Sequence, residues 1–450
     1  MQTTAVLPLK RLSTLDQVRL SAFWFSSQMM WGAILAVLVQ SQVLAMVPDA
    51  VKGTAVGLVI GLGSLAGIVV PPIMGAWSDR VMFKMGRRRP FMLLGTAVNL
   101  LALAGLAYFP FLNSAPLWGF SVAFWLYIGA YLLANSSNNF ATAPYSALLP
   151  DVVPVEQRGS ASGWYGLMTT LGNGVGIVLA GSIVNHQAPR PVFQSQVNLV
   201  YTIIGVILVI GVLVSVLGTH EQPLTVKPKP FHWADFWRGL LSPFRSPDFF
   251  WVFFTRLLVT MGIFSIQNFL QLYMGDVVKD FTVFGTRLAT TAESAVTYVL
   301  LILLVTAVIS SIIGGQLSDR YGRKLLVYLS GGAMAVVAIG LILIHQYVAA
   351  LVIGALFGVG YGAYTSVDWA LATDVLPNLD DAAKDMGLWH MALTIPQLVA
   401  TPLAGSLLDT FQRVGKSNGH PTLGYTVIFS IAIVYFFLGT IFVRQVKKAR

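Results

Sequence analysis

The run Gly75-Ala-Trp-Ser-Asp79-Arg80, followed by Gly86-Arg87-Arg88-Arg89, returns later as Gly315-Gln-Leu-Ser-Asp319-Arg320-Tyr-Gly322-Arg323-Lys324. Each copy ends a long apolar stretch and opens a short basic loop. A small-residue turn carrying an acid and a base, found twice in such a chain, implies two similar membrane halves. Parallel repeats of several membrane helices, with a site between them, are one architecture for moving solutes across a bilayer.

Composition agrees. The chain is 56% hydrophobic and 10% charged, against about 25% charged in a soluble domain. Apolar stretches near the ~20 residues needed to span a bilayer fall at 20–46, 54–78, 90–110, 117–149, 158–184 and 197–218. They resume at 249–275, 288–317, 323–345, 347–376, 385–409 and 422–443. The alternation a membrane barrel requires is absent. The expected fold is therefore all-α and integral to the membrane, with twelve transmembrane helices in two six-helix halves, 1–218 and 248–450. The polar stretch 219–247 is the linker, with a possible interfacial helix inside it.

Charge sets the expected orientation. With both termini in the cytoplasm, basic residues on that side (among them Arg80, Arg87, Arg320 and Arg323) outnumber those outside by roughly three to one, as the positive-inside rule requires. The net charge of +10 then faces anionic lipid, and nucleic acid is not needed to explain it. A multi-pass protein of the cell membrane, plasma or inner and monomeric, is expected. The polar, basic N-terminus lacks the pattern of a removable leader.

Further repeats lie in register. Ser146-Ala-Leu-Leu-Pro-Asp151 matches Trp369-Ala-Leu-Ala-Thr-Asp374, and Leu179-Ala-Gly-Ser182 matches Leu403-Ala-Gly-Ser406. The two loop motifs resemble motif A of the major facilitator superfamily, the second fitting its G-x-x-x-D-R-x-G-R-K form. The first carries four extra residues between Arg80 and Gly86. With Asn138-Asn139, Ala147-Leu148-Leu149, Gly172-Asn173 and Ile395-Pro396-Gln397, that spacing resembles the sucrose carriers of the glycoside–pentoside–hexuronide cation symporters. The resemblance implies carriage of a small neutral solute, a glycoside such as sucrose or maltose, by proton symport with alternating access. It implies no cofactor.

In the motif loops the residues suggest a conformational latch made of Gly75, Asp79, Arg80, Gly86, Arg87, Gly315, Asp319, Arg320, Gly322 and Arg323, with Asp151 and Asp374 nearby. The glycines permit close helix approach, and the aspartates accept from helix N-termini and arginines when the cytoplasmic side is closed. A purely topogenic role for the basic residues fits equally well.

Charges at membrane depth are costly. Arg256 and Asp368 each sit about nine residues from the cytoplasmic end of a span, some ~13 Å deep at ~1.5 Å per residue, and are expected to pair. The pair is either a static bridge or part of proton or substrate coupling, with His390 a second coupling candidate. The resembled carriers place an acid and an arginine in the fourth helix where this chain has Asn135 and Ser146. Sugar-binding candidates are the amides Gln28, Gln40, Gln42, Asn135, Asn138, Asn139, Asn173, Gln267, Asn268, Gln271 and Gln397 and the aromatics Trp31, Trp164, Tyr361, Tyr364 and Trp369. Each amide could equally be glue between helices.

Enzyme chemistry is disfavoured. The chain has no Walker-type glycine loop, no His-Glu-x-x-His, no cysteine and too few clustered acids for a metal centre. Competing expectations are efflux of an amphipathic compound, or a receptor or scaffold that keeps the fold without transport.

Overall fold

The computed structural model describes residues 11–81, 83, 85–219, 221, 242–375 and 382–447; the side chains of 149, 150, 155, 319, 373, 382–387 and 390 also lie outside the description. Twelve long helices run through the described residues. They are α1 (Thr14–Met46), α2 (Lys52–Ser78), α3 (Arg89–Tyr108), α4 (Val122–Val152), α5 (Arg158–Ile183) and α6 (Arg190–Gly218), then α7 (Pro247–Val278), α8 (Ala292–Tyr321), α9 (Arg323–Leu343), α10 (Tyr347–Asp374), α11 (Ala382–Ser417) and α12 (Leu423–Phe442). Eleven are long and apolar enough to cross a membrane. The other, α4, has the length at 31 residues, but Asn135, Asn138 and Asn139 make its middle more polar. Most of the linker expected at 219–247 lies outside the described residues.

Local chemistry sets where the helices begin. Ser13 and Asp16 form a reciprocal capping box at the start of α1, and Thr291 and Ser294 do the same for α8. Prolines fill the first turns of α3, α6 and α7, where no backbone donor is lost. Helices α1 and α7 hold corresponding places in the two halves, and each contains a π-helical turn, Ile34–Leu38 and Met274–Val278.

Two spans start later than the sequence suggests, because hairpins precede them. Pro116–Leu117 (β1) pairs with Phe120–Ser121 (β2), and Thr282–Val283 (β3) with Thr286–Arg287 (β4). The turn residues Trp118-Gly119 and Phe284-Gly285 all have positive φ, the type I′ geometry for which a glycine at the second position is suited.

Two seams join the halves, α2 against α11 and α5 against α8. They are tight towards one end. A Cβ placed on Gly405 would lie 2.1 Å from the Gly53 carbonyl oxygen, and one on Gly181 would lie 1.7 Å from Thr297 Oγ1. At the other end, a Cβ on Gly75, Gly159, Gly163 or Gly315 would meet nothing within 4 Å. The starts of α2 and α8 both lie at the closed end, so the two motif loops that follow these helices share the opposite, open end.

Candidate functional site

Ten residues into α7, Arg256 points at α10. Its Nη1 donates to Asp368 Oδ2 at 2.5 Å, with the two side chains only 8% and 5% exposed. The guanidinium carbon lies 3.4 Å from the ring centroid of Trp389 on α11, so the charge is sandwiched between a carboxylate and an indole face. A desolvated cation over tryptophan contributes about 2 kcal/mol. Trp389 meets Trp369 edge to face at 5.3 Å. Arg256 Nε is buried with no hydrogen-bond partner, a donor the ion pair does not use.

The pair lines a cavity of about 140 Å³ together with Gln267, Tyr361, Tyr364, Trp369 and Trp389. It therefore gathers Arg256, Asp368, Gln267, Tyr361, Tyr364 and Trp369, six of the residues singled out from sequence. Trp389 was missed. No charge or amide marks it, and its role depends on α11 packing against α7. The His390 side chain, the next along, lies outside the described residues.

The remaining candidates separate by what holds them. Gln42 Nε2 donates to the Leu106 carbonyl while its Oε1 accepts from Tyr127 and Tyr201, so it is fully used inside the N-terminal half. Gln40 Nε2 donates to the Leu35 and Asn268 carbonyls, and Asn268 Nδ2 to Thr401 Oγ1. Gln271 stands 2.8 Å from Ser41 Oγ. Gln40, Asn268 and Gln271 thus belong to the closed end, between the halves or within the C-terminal half. In the N-terminal half, Ser27 donates to Asn138 Oδ1 at 2.9 Å, Asn139 to Asn135 Oδ1 at 2.7 Å, and Asn173 to Gln28 Oε1 at 3.3 Å. Trp31 packs edge to face on Tyr131 at 5.9 Å. Trp164 and Gln397 are half-buried on α5 and α11.

The motif loops build the same ion pair twice. Gly86 and Gly322 both have positive φ, 97° and 92°. Each turns the chain so that the next arginine reaches the acid ending the fourth helix of its half: Arg87 pairs with Asp151 at 2.5 Å, and Arg323 pairs with Asp374. Arg88 adds bonds to Asp151 and Asp79, the latter at 2.5 Å. Glu221 accepts from the backbone N–H groups of Arg87 and Arg88. Arg80 donates to the Ala76 carbonyl, and the Arg320 guanidinium lies 5.5 Å from the Tyr321 ring. The Asp319 side chain is outside the described residues. In this conformation these pairs lie within single halves.

Sequence reasoning also missed the charges that close the opposite end. Lys52 of α2 is bonded to Asp49 at 2.6 Å and, across the halves, to Asp276 of α7 at 2.7 Å. Asp409 of α11 accepts from the N–H groups of Gly53 and Thr54, capping α2 from the other half. The signal available was an acid within an apolar stretch, at Asp409.

Such a bundle, with paired motif loops and a buried charged cavity, is a secondary transporter scaffold. A family model described as Major Facilitator Superfamily matches residues 20–379 and 284–449, and the chain belongs to that superfamily of membrane transporters. It is similar to the sphingosine-1-phosphate transporter MFSD2B of Mus musculus, 24% identical over 351 residues, 72% of this chain and 65% of that protein. It is also similar to the sucrose transport protein SUC4 of Arabidopsis thaliana, 23% identical over 398 residues, 76% of this chain and 75% of that one. For three curated relatives, MFSD2B among them, the chain spans 65% of their length or less. A solved D-xylose-proton symporter shares the fold with a TM-score of 0.66 at 12% identity, covering 97% of this chain and 99% of that one.

Proposed function

We propose that this transporter carries a small neutral glycoside, such as sucrose or maltose, by proton symport with alternating access. The observation that carries the proposal is the cavity around Arg256 and Asp368. A hydroxylated ring needs flat apolar faces and a few fixed donors and acceptors, and the cavity offers Trp369, Trp389 and Tyr361 beside Gln267 and the unused Arg256 Nε. Asp368 is the carboxylate in contact with that space, so it is the group assigned to the proton. The likeness to sucrose transport proteins and to a proton-coupled xylose carrier supports the same reading. With the motif loops placed on the cytoplasmic side, the open end faces inward.

The likeness to a sphingosine-1-phosphate transporter supports a second reading, an amphipathic cargo. Thermal stabilisation of the purified protein by a ligand panel separates the two. Neutral disaccharides should raise the unfolding midpoint, and lysophospholipids and sphingoid phosphates should not. The reverse pattern would replace the glycoside with an amphiphile.

A further inference from the structure

Glu293 has the most deeply buried carboxylate among the described residues, with its side chain 0% exposed. It stands in the first turn of α8, in the C-terminal half. Its side-chain donors come from the other half: Ser41 Oγ of α1 at 3.1 Å, the His186 N–H at 3.1 Å and His186 Nδ1 at 2.5 Å. An ionised carboxylate only accepts, so the hydrogen of the last contact belongs to Nδ1. All three donors converge on Oε1. The second oxygen, Oε2, is buried with no partner.

This is the arrangement for accepting a proton without displacing anything. With all three donors on Oε1, a proton has an empty place at Oε2. Taking it makes the acceptor neutral, and a bond to a neutral acceptor is weaker than the same bond to a carboxylate. Because donors and acceptor belong to different halves, the bond that weakens is one holding the halves together. The adjacent contact of Gly181 with Thr297 shows that the Thr297 side chain of α8 packs directly on the α5 backbone here.

A route for the proton exists. His186 is 19% exposed and lines an open pocket of about 450 Å³ with Asn113, Ser114, Arg190 and Phe193. The charged neighbours are accounted for. Arg190 shares that pocket and donates to the Phe111 carbonyl. Tyr347 of α10 donates to the Ala295 carbonyl of α8. Asp276 of α7 is held by Lys52 and Tyr425, and Lys279, Asp280 and Arg287 on the connection to α8 are exposed.

We propose that Glu293 and His186 form a proton-binding site that governs this end of the transporter: a proton taken at Glu293 Oε2 releases the N-terminal half from the C-terminal half. The site is separate from the Arg256–Asp368 cavity and does not depend on what the cargo is.

The chain has no cysteine, so spin labels at Ser195→Cys on α6 and Thr286→Cys on the second hairpin report the separation of this end without background. With no cargo present, the distance distribution should gain a longer component as pH is lowered from about 8 to about 4, into the ordinary carboxylate range. Glu293→Gln, a neutral stand-in, should show the longer component at both pH values with less than about a twofold change. His186→Ala, at a position only 19% exposed, should move the midpoint of the response by about one pH unit or more. A wild-type distribution independent of pH, a Glu293→Gln protein with the wild-type response, or an unmoved midpoint in His186→Ala would overturn the proposal. Should Glu293→Gln fail to fold, the His186→Ala midpoint decides.

Discussion

At the scale of single residues, burial decides what Arg256 and Asp368 do to stability. Removing either partner leaves an uncompensated charge, with Trp389 still packed on one side, and should cost on the order of 3–5 kcal/mol. The double replacement Arg256→Met, Asp368→Leu should unfold closer to the wild type than either single change, as read from denaturation midpoints. Transport offers a sharper test of Asp368. If it carries the proton, Asp368→Asn should still exchange sugar down its gradient and lose accumulation driven by a pH gradient; a folded variant that still concentrates sugar would reduce the pair to scaffolding. Counting residues along two apolar stretches was enough to place this pair at one depth. The same counting could not tell Gln267, which lines the cavity, from Gln42, which Tyr127 and Tyr201 saturate. That difference depends on which helix faces which.

At the scale of elements, glycines mark where helices must touch in this state and where they need not. Gly405→Ala places a methyl against the Gly53 carbonyl and should destabilise the closed end by about 1–3 kcal/mol. Faster thiol labelling of a cysteine introduced at Thr54 would register it. Gly75→Ala meets no neighbour here and should leave stability within about 0.5 kcal/mol of wild type, while slowing any step that closes the motif-loop end. The helices themselves were legible, since apolar length and charge spacing survive any packing. The hairpins were not: two-residue strands give too little alternation to detect, and their only trace is the aromatic-glycine pair at each tip, Trp118-Gly119 and Phe284-Gly285. Lys52 and Glu293 were obscured for a related reason. Each sits at the end of an apolar stretch, where a charge ordinarily meets water, and only the partners from the other half bury it.

At the scale of the whole molecule, the repeated motif has a repeated structural result. In each half a glycine of positive φ delivers an arginine to the acid that ends the fourth helix, Arg87 to Asp151 and Arg323 to Asp374. The duplication seen in sequence is thus a duplication of ion pairs, and these brace each half as a unit while the halves part. Asp79 is 52% exposed on its Arg88 partner and is free to find other donors when this end closes. Asp79→Asn should therefore slow the transport cycle and leave solute affinity within a few-fold of wild type, because a residue far from the cavity biases states without touching cargo. Unchanged rates, with unchanged accessibility of the two ends, would remove the latch from the account.

The central claim, proton-driven carriage of a neutral glycoside through the Arg256–Asp368 cavity, is tested most directly in proteoliposomes. Labelled sucrose and maltose are offered outside, with the lumen made alkaline relative to the medium. The account predicts accumulation above the external concentration, collapse of that accumulation on adding a protonophore, and its loss in Asp368→Asn with downhill exchange retained. Uptake of neither sugar, or uptake that equilibrates without ever exceeding the outside concentration whatever the pH gradient, would contradict it.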